Sequence, residues 1–178
     1  DEHLENITRH LLEIFTKLIP NKKVMFMDVD DEYDGQFDLF ARISEPETLE
    51  DMANQLMLEL EDRKKGETGH DFIIFIPNLE KFVQASGLTG EQVSALYQEG
   101  WKYNMHFVVG SSYSYISNNA IGSPARQVKA YNQHYLLGMR LTDQTILEKP
   151  YNSKEPYLNK DEVYLYGRPS SVKLKITI

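Results

Sequence analysis

The residues of this chain best suited to chemistry lie in three places. The stretch Asp28-Val29-Asp30-Asp31-Glu32-Tyr33-Asp34-Gly35-Gln36-Phe37-Asp38 is the most acidic in the sequence. Asp30, Glu32, Asp34, Gly35 and Asp38 stand near positions 1, 3, 5, 6 and 9 of a calcium-binding EF-hand loop. The match stops at position 12, which needs a bidentate carboxylate and here is Ala41, and the flanking run reads as a strand instead of a helix. The stretch is therefore read as a solvated acidic loop at a strand end. The second place is the pair His70-Asp71, half of an acid-base couple, with no nucleophile motif such as G-x-S-x-G to accompany it. It reads as a surface histidine before a strand. The third is the set Pro77, Asn78, Ser111 and Ser112, each just past a strongly apolar run, where open α/β sheets place their ligands. No acid stands among those four.

The two apolar runs, Phe72-Ile73-Ile74-Phe75-Ile76 and His106-Phe107-Val108-Val109-Gly110, organise the rest of the chain. Neither alternates with polar residues, so each reads as a strand buried on both faces, the habit of inner strands in a parallel sheet. Val24 to Met27 reads as a further short buried strand. Leu4, Ile7, Leu11, Ile14, Phe15 and Leu18 recur at helical spacing and predict a helix stopped by Pro20-Asn21. A second helix is expected from Pro46 to about Lys65, ahead of Gly66, with Leu49, Met52, Ala53, Leu56 and Leu60 on one stripe. Thr89 with Gln92 forms a capping box for a helix through Val93, Leu96, Tyr97 and Trp101.

Downstream, Tyr113 to Ile116 and Ser117-Asn118-Asn119 read as a loop, followed by a helix started by Ser123-Pro124 and running through Val128 and Tyr131. Tyr113, Tyr115, Tyr131 and Tyr135 are either an aromatic patch for a partner helix or core, with Tyr131 and Tyr135 assigned to core. Tyr135 to Met139 reads as a strand, and Thr142 is expected to cap a short helix Asp143 to Leu147 before Pro150. The tail predicts a hairpin: Glu162 to Tyr166, a turn Gly167 to Ser170, and an edge strand Val172 to Ile178 with one wet face. The expected class is α/β, a mainly parallel sheet flanked by helices with a C-terminal β-hairpin.

At 178 residues the chain fits one domain, 1–178, large enough for a complete core. It contains no cysteine, which excludes disulfide scaffolds and thiolate metal sites. With 27 acidic against 19 basic residues and a net charge of −8, it is a poor match for nucleic acid. Its apolar runs reach five or six residues, far below the roughly 20 that a transmembrane helix needs. The chain starts at Asp1 and is helical within a few residues, which suggests a piece of a longer polypeptide.

Taken together, the Phe72 strand, the segment Gly100 to Ser112 and Leu141-Thr142-Asp143-Gln144-Thr145-Ile146-Leu147 resemble the carboxyl-terminal two thirds of an FtsK-type P-loop ATPase domain of the FtsK/RecA kind. They correspond in order to the Walker B strand, the sensor strand and the family's D-S-R-T-I-L segment. Within that family the chain is most similar to the last ATPase module of the membrane-anchored coupling proteins of type VIIb secretion in Gram-positive bacteria. The resemblance implies a P-loop NTPase-like fold, with Pro77 and Asn78 at the two acidic positions of a working Walker B, Ser111 and Ser112 at the polar sensor, and Gln144 at the family's arginine. These five are vestigial nucleotide-site positions. A carboxylate is needed to hold Mg²⁺ and orient the attacking water, and neither proline nor asparagine does both. No G-x-x-x-x-G-K-[ST] occurs, and the strand ahead of it is missing too. Either the chain starts just past that loop or the module never had one.

A site short of so many parts cannot stabilise phosphoryl transfer well enough for turnover. The expected function is that of a non-hydrolysing ATPase-like module that engages substrates or regulates the motor, with no cofactor of its own and ATP/Mg²⁺ possible by family resemblance. The implied partners are secreted helical proteins and neighbouring ATPase modules of the same chain. The implied location is the cytoplasmic side of the bacterial membrane, with the membrane reached through the rest of the protein. One alternative is an active ATPase whose P-loop lies upstream and whose acid is Glu80 or another residue. The other is an unrelated α/β domain that binds through the loop Asp28 to Asp38.

Overall fold

The structure, a computed structural model, describes residues 2–18, 23–33, 41–67, 69–132, 134–147, 155–167 and 170–176. Four parallel strands form the main sheet: β1 (Lys23–Met27), β2 (Ala41–Ile43), β3 (Phe72–Ile76) and β4 (Met105–Val109), in the order β2-β1-β3-β4. The register sets Phe26 beside Phe75, Ile74 beside Phe107 and Ile76 beside Val109.

The unbroken apolar runs are explained by what covers the two faces. Successive side chains of a strand point to opposite faces. Val24, Phe26, Ile73 and Phe75 therefore meet helix α1 (Glu2–Leu18), where Leu12 is buried and the Phe15 ring sits edge-on to Phe75 at 5.8 Å. Met25, Met27, Phe72, Ile74 and Ile76 point the other way, toward α2 (Pro46–Lys64), α3 (Leu79–Ser86) and α4 (Gly90–Glu99). In α2, Leu49, Ala53, Leu56 and Leu60 are buried as the stripe predicts, and the helix ends before Gly66 at φ 104°. The Thr89 capping box is complete: its hydroxyl accepts from Gln92 N at 3.2 Å while the Gln92 side chain accepts from Thr89 N at 2.9 Å.

Several expectations are corrected. β2 has no counterpart among the expected elements: it is three residues long with Arg42 at its centre, and pairing with β1 makes it a strand. The single helix expected between the two apolar runs is two, since Asn78 starts α3 and Gly87, at φ 66°, ends it. Tyr113–Ile116 is a one-turn helix, α5, where a loop was expected, and it precedes α6 (Pro124–Tyr131), which starts where Ser123-Pro124 predicts. The helix expected at Asp143 to Leu147 is absent, and a 3₁₀ turn at Leu141–Asp143 takes its place.

A second, antiparallel sheet has the order β5-β6-β7, from β5 (His134–Leu137), β6 (Glu162–Gly167) and β7 (Ser170–Lys175). β5 stops at Leu137, short of the expected Met139. The hairpin and its edge position are as predicted, but β7 is exposed at every residue, so both its faces are wet. Pro20-Asn21, Asp34 to Asp38, Pro150 and the turn residues 168 and 169 lie outside the described residues.

Candidate functional site

Because the main sheet is parallel, β3 and β4 deliver their following residues to the same edge. Gly110 N donates to Ile76 O at 2.7 Å and Leu79 N donates to Gly110 O at 2.9 Å, so the two strand ends are stitched together. A Cβ on Gly110 would stand 2.1 Å from Pro77 O, a gap that only glycine tolerates. This brings Pro77-Asn78 beside Ser111-Ser112, as expected of a common site.

Each of these side chains is occupied by local structure. Pro77 is buried. The Asn78 Oδ1 atom accepts from Lys81 N at 3.2 Å and so caps α3. Ser112 Oγ caps α5 by accepting from Tyr115 N at 3.3 Å, and Ser111 Oγ donates to Ser112 O at 3.2 Å. The segment after Asp143 is tied to this edge through Tyr113, whose hydroxyl accepts from Thr145 N at 3.0 Å. Gln144, however, turns inward and is fully buried. Its Nε2 donates to Leu141 O at 2.9 Å and Leu147 O at 3.1 Å, and its Oε1 accepts from Leu147 N at 2.6 Å. Both amide protons are spent, which leaves none for a phosphate. Glu80 lies in the first turn of α3. Burial first, and the Glu80 charge second, hold the nearby Tyr115 phenol above its ordinary value.

The other candidates are also structural. His70 is exposed, and its carbonyl accepts from the buried Arg63, whose guanidinium also lies 5.0 Å over the Phe72 ring. Asp28, fully buried, accepts from Glu32 N at 3.0 Å, from Tyr33 N at 3.2 Å and from Arg42 Nε at 3.1 Å. That carboxylate anchors the acidic loop to β2, and Lys81 pairs with Glu32 at 2.6 Å to hold it to α3. Asp34, Gly35 and Asp38 lie outside the described residues.

A cleft that the sequence reading missed lies between α4, α6 and the second sheet. A cleft of about 770 Å³ is walled by Tyr97, Tyr131, Tyr135 and Tyr166 together with Trp101, Lys102 and Lys129. Among the described residues no carboxylate lines it, in a chain of net charge −8. Trp101 is 62% exposed, with Lys102 Nζ 6.0 Å from its ring centroid. Tyr131, assigned to core, is exposed instead at the end of α6, whereas Tyr135 is half-buried and edge-on to Tyr166 at 6.4 Å. The Tyr97 ring stacks on Phe107 at 5.1 Å, and its buried hydroxyl has no hydrogen-bond partner among the described residues. Burial pushes the Tyr97 phenol well up, and it lowers Lys129. The signal available in the sequence was the run Trp101-Lys102-Tyr103, which leaves α4 in a 3₁₀ turn at Gly100–Tyr103.

No family model matches the chain. Its sequence is 26% identical over 183 aligned positions to the type VII secretion system protein EssC of Staphylococcus aureus (strain MRSA252), across 98% of this chain and 12% of that protein. Among solved structures it is similar to EssC (ATPases 2 and 3) from Geobacillus thermodenitrificans, with a TM-score of 0.72 at 15% identity over 98% of this chain and 34% of that one. The cytoplasmic domain of EssC gives 0.72 at 14% identity, covering 99% of this chain and 37% of that one. EccC (ATPases 2 and 3) from Thermomonospora curvata, in complex with a signal sequence peptide, gives 0.68 at 12% identity, covering 97% and 34%. The resemblance read from the sequence therefore holds: over nearly its whole length this chain is similar to the type VII secretion protein EssC, and it has the fold of the EssC and EccC ATPase domains.

Proposed function

We propose that this chain acts as a non-hydrolysing, ATPase-like module of a type VII secretion coupling protein, engaging secreted helical substrates or regulating the neighbouring ATPase modules. The observation that carries the reading is the use of the nucleotide-site positions. Asn78 and Ser112 cap helices, Gln144 closes a buried turn, and proline stands where Mg²⁺ chemistry needs an acid. No cofactor is assigned to the module, although ATP/Mg²⁺ binding without turnover fits the fold. The placement proposed is the cytoplasmic side of a Gram-positive cell membrane, with anchoring through other parts of the protein. No helix among the described residues is long and apolar enough to cross a membrane.

The EccC structure with a signal sequence peptide supports a peptide-engaging role for the fold. In this chain the aromatic cleft is the surface suited to it, because tyrosine and tryptophan bury apolar area at low entropic cost and the two lysines favour an acidic segment. The chain's single tryptophan, Trp101, reports on that cleft. Calorimetric titration with ATP and Mg²⁺ is expected to give no binding heat, while a signal-sequence peptide of a type VII substrate is expected to shift Trp101 emission saturably. Micromolar ATP binding accompanied by turnover would overturn the reading and favour the alternative, an active nucleotide-binding ATPase whose P-loop lies upstream of this chain.

A further inference from the structure

On the α2 face of the main sheet, toward the edge opposite β4, the chain forms a pocket of about 510 Å³. Its described lining residues all fall within 25–72, in the interior of the chain. β2 enters the sheet only at Ala41, beside Met25, so among the described residues no strand flanks β1 ahead of that point. Helix α2 stands over the gap. Its Met52 and Leu56 form the apolar walls together with Met25 and Phe72 of the sheet.

Two charged groups are built into this apolar wall, Arg63 and Glu59. The Arg63 side chain is 5% exposed, and the backbone at Gly69 closes over it so tightly that a Cβ there would stand 2.0 Å from Nη2. A guanidinium has five N–H groups to satisfy. Nε donates to Glu59 Oε1 at 2.6 Å, Nη1 to Tyr103 O at 2.5 Å and Nη2 to His70 O at 3.1 Å. The remaining N–H on Nη1 and the remaining one on Nη2 have no acceptor among the described residues. Donors left unmade in a buried position are costly, so an acceptor brought into the pocket is favoured. Glu59 is 45% exposed, and its second oxygen accepts no hydrogen bond among the described residues.

We propose that this pocket receives one apolar side chain of a partner polypeptide, of leucine or methionine size, together with the peptide group beside it. The side chain fills the apolar walls, and the two wall methionines adapt to either shape. The peptide carbonyl accepts from Arg63, and the peptide N–H donates to the second oxygen of Glu59. Charge selects a neutral group here. Glu59 already neutralises Arg63, so a carboxylate in the pocket meets a like charge at Glu59, and a cation meets one at Arg63. An apolar lining with a few placed polar groups is the usual make-up of a ligand pocket. The proposal goes beyond the secretion role and stands without it.

The test uses the 178-residue chain with ¹³C-labelled methionine methyl groups and the neutral blocked peptide acetyl-Gly-Leu-Gly-amide, followed by NMR. The Met25 and Met52 signals are expected to shift saturably with millimolar affinity, the range open to so small a ligand. Met105, fully buried in β4, is expected to stay still. Acetyl-Gly-Gly-Gly-amide is expected to leave all of them unmoved. N-methylation at the leucine is expected to weaken binding about threefold to tenfold, as the loss of one net hydrogen bond implies. Glu59→Gln is expected to bind the acetyl-leucine anion about tenfold better than the parent chain does, because the like charge is gone. Met52→Trp, which fills the pocket from a half-buried position, is expected to abolish the Met25 shift while circular dichroism shows the fold intact. No saturable shift, equal affinity for the glycine or the N-methylated peptide, shifts confined to methionines outside the pocket, or no gain in anion binding on Glu59→Gln would each overturn the proposal.

Discussion

β3 is apolar at every position and wholly buried, whereas β7 sets Val172 and Leu174 among serines and lysines and is wholly exposed. Phe72 to Ile76 lie between α1 on one face and α2, α3 and α4 on the other. Val172 and Leu174 of β7 are 53% and 38% exposed, although each stands beside an apolar partner, Leu165 and Val163. Across the second sheet Leu136, Leu165 and Val172 form one exposed row. Stability therefore resides in the parallel sheet, whose inner strands β1 and β3 are covered on both faces. The antiparallel sheet is the part left with surface to offer. Its small cluster of Leu137 with Tyr164 and Tyr166 lies within the sheet, and that of Val163 with Ile7 and Ile176 attaches it to α1.

The largest effect that would sharpen this contrast comes from truncating β3. Phe75→Ala removes a buried ring that packs against Phe15 and Phe26 and is expected to cost about 3–5 kcal/mol. Leu174→Ala in β7 is expected to cost about 0.5 kcal/mol or less, as for surface sites. Chemical denaturation of the two variants measures both, and equal losses would mean that the hairpin belongs to the main core.

An intermediate effect is expected at the edge that resembles a nucleotide site. Asn78→Ala removes the cap of α3 and is expected to cost about 1 kcal/mol, whereas Asn78→Asp keeps an acceptor and stays near neutral. The midpoints of thermal melts compare them. If Asn78→Ala melted with the parent protein, the capping role would be wrong.

The smallest effect concerns the hairpin and pH. The amide of Asn159 and the ammonium of Lys173 hold the Glu162 carboxyl below its ordinary value, and Lys175 does the same for Asp161. Carboxylates with lowered folded-state values add stability that is complete above their unfolded values and lost as pH falls through the folded ones. Both are partly exposed, so salt should weaken the effect. Amide exchange in β7 is expected to speed up selectively as pH drops below the ordinary carboxylate range, after correction for intrinsic rates, and less so in high salt. Uniform loosening of both sheets would break the contrast.

Much of this was legible in short windows of sequence. Continuous apolar runs marked β3 and β4, the stripe from Leu49 to Leu60 marked α2, and Thr89 with Gln92 marked the start of α4. Local patterns failed where pairing partners decide the outcome. Arg42 reads as a surface residue until β2 pairs with β1 and sets its guanidinium on Asp28. Gln144 reads as a replaced arginine, and nothing near it in sequence says that its amide turns inward to hold Leu141 and Leu147. Tyr131 fits a core pattern by spacing, but it stands on the outer end of α6.

By itself the sequence determined the alternation of helices and buried strands, the lack of an acid at Pro77 and Asn78, and the acidic net charge. Periodicity and residue type act over a few neighbours, and they suffice for those conclusions. Only the tertiary structure decided which residues occupy the two faces of each strand, and that Asn78 and Ser112 serve as caps. Those outcomes depend on groups far apart in the chain meeting in space, because a hydrogen-bonding edge or an apolar face is satisfied by whatever lies opposite it.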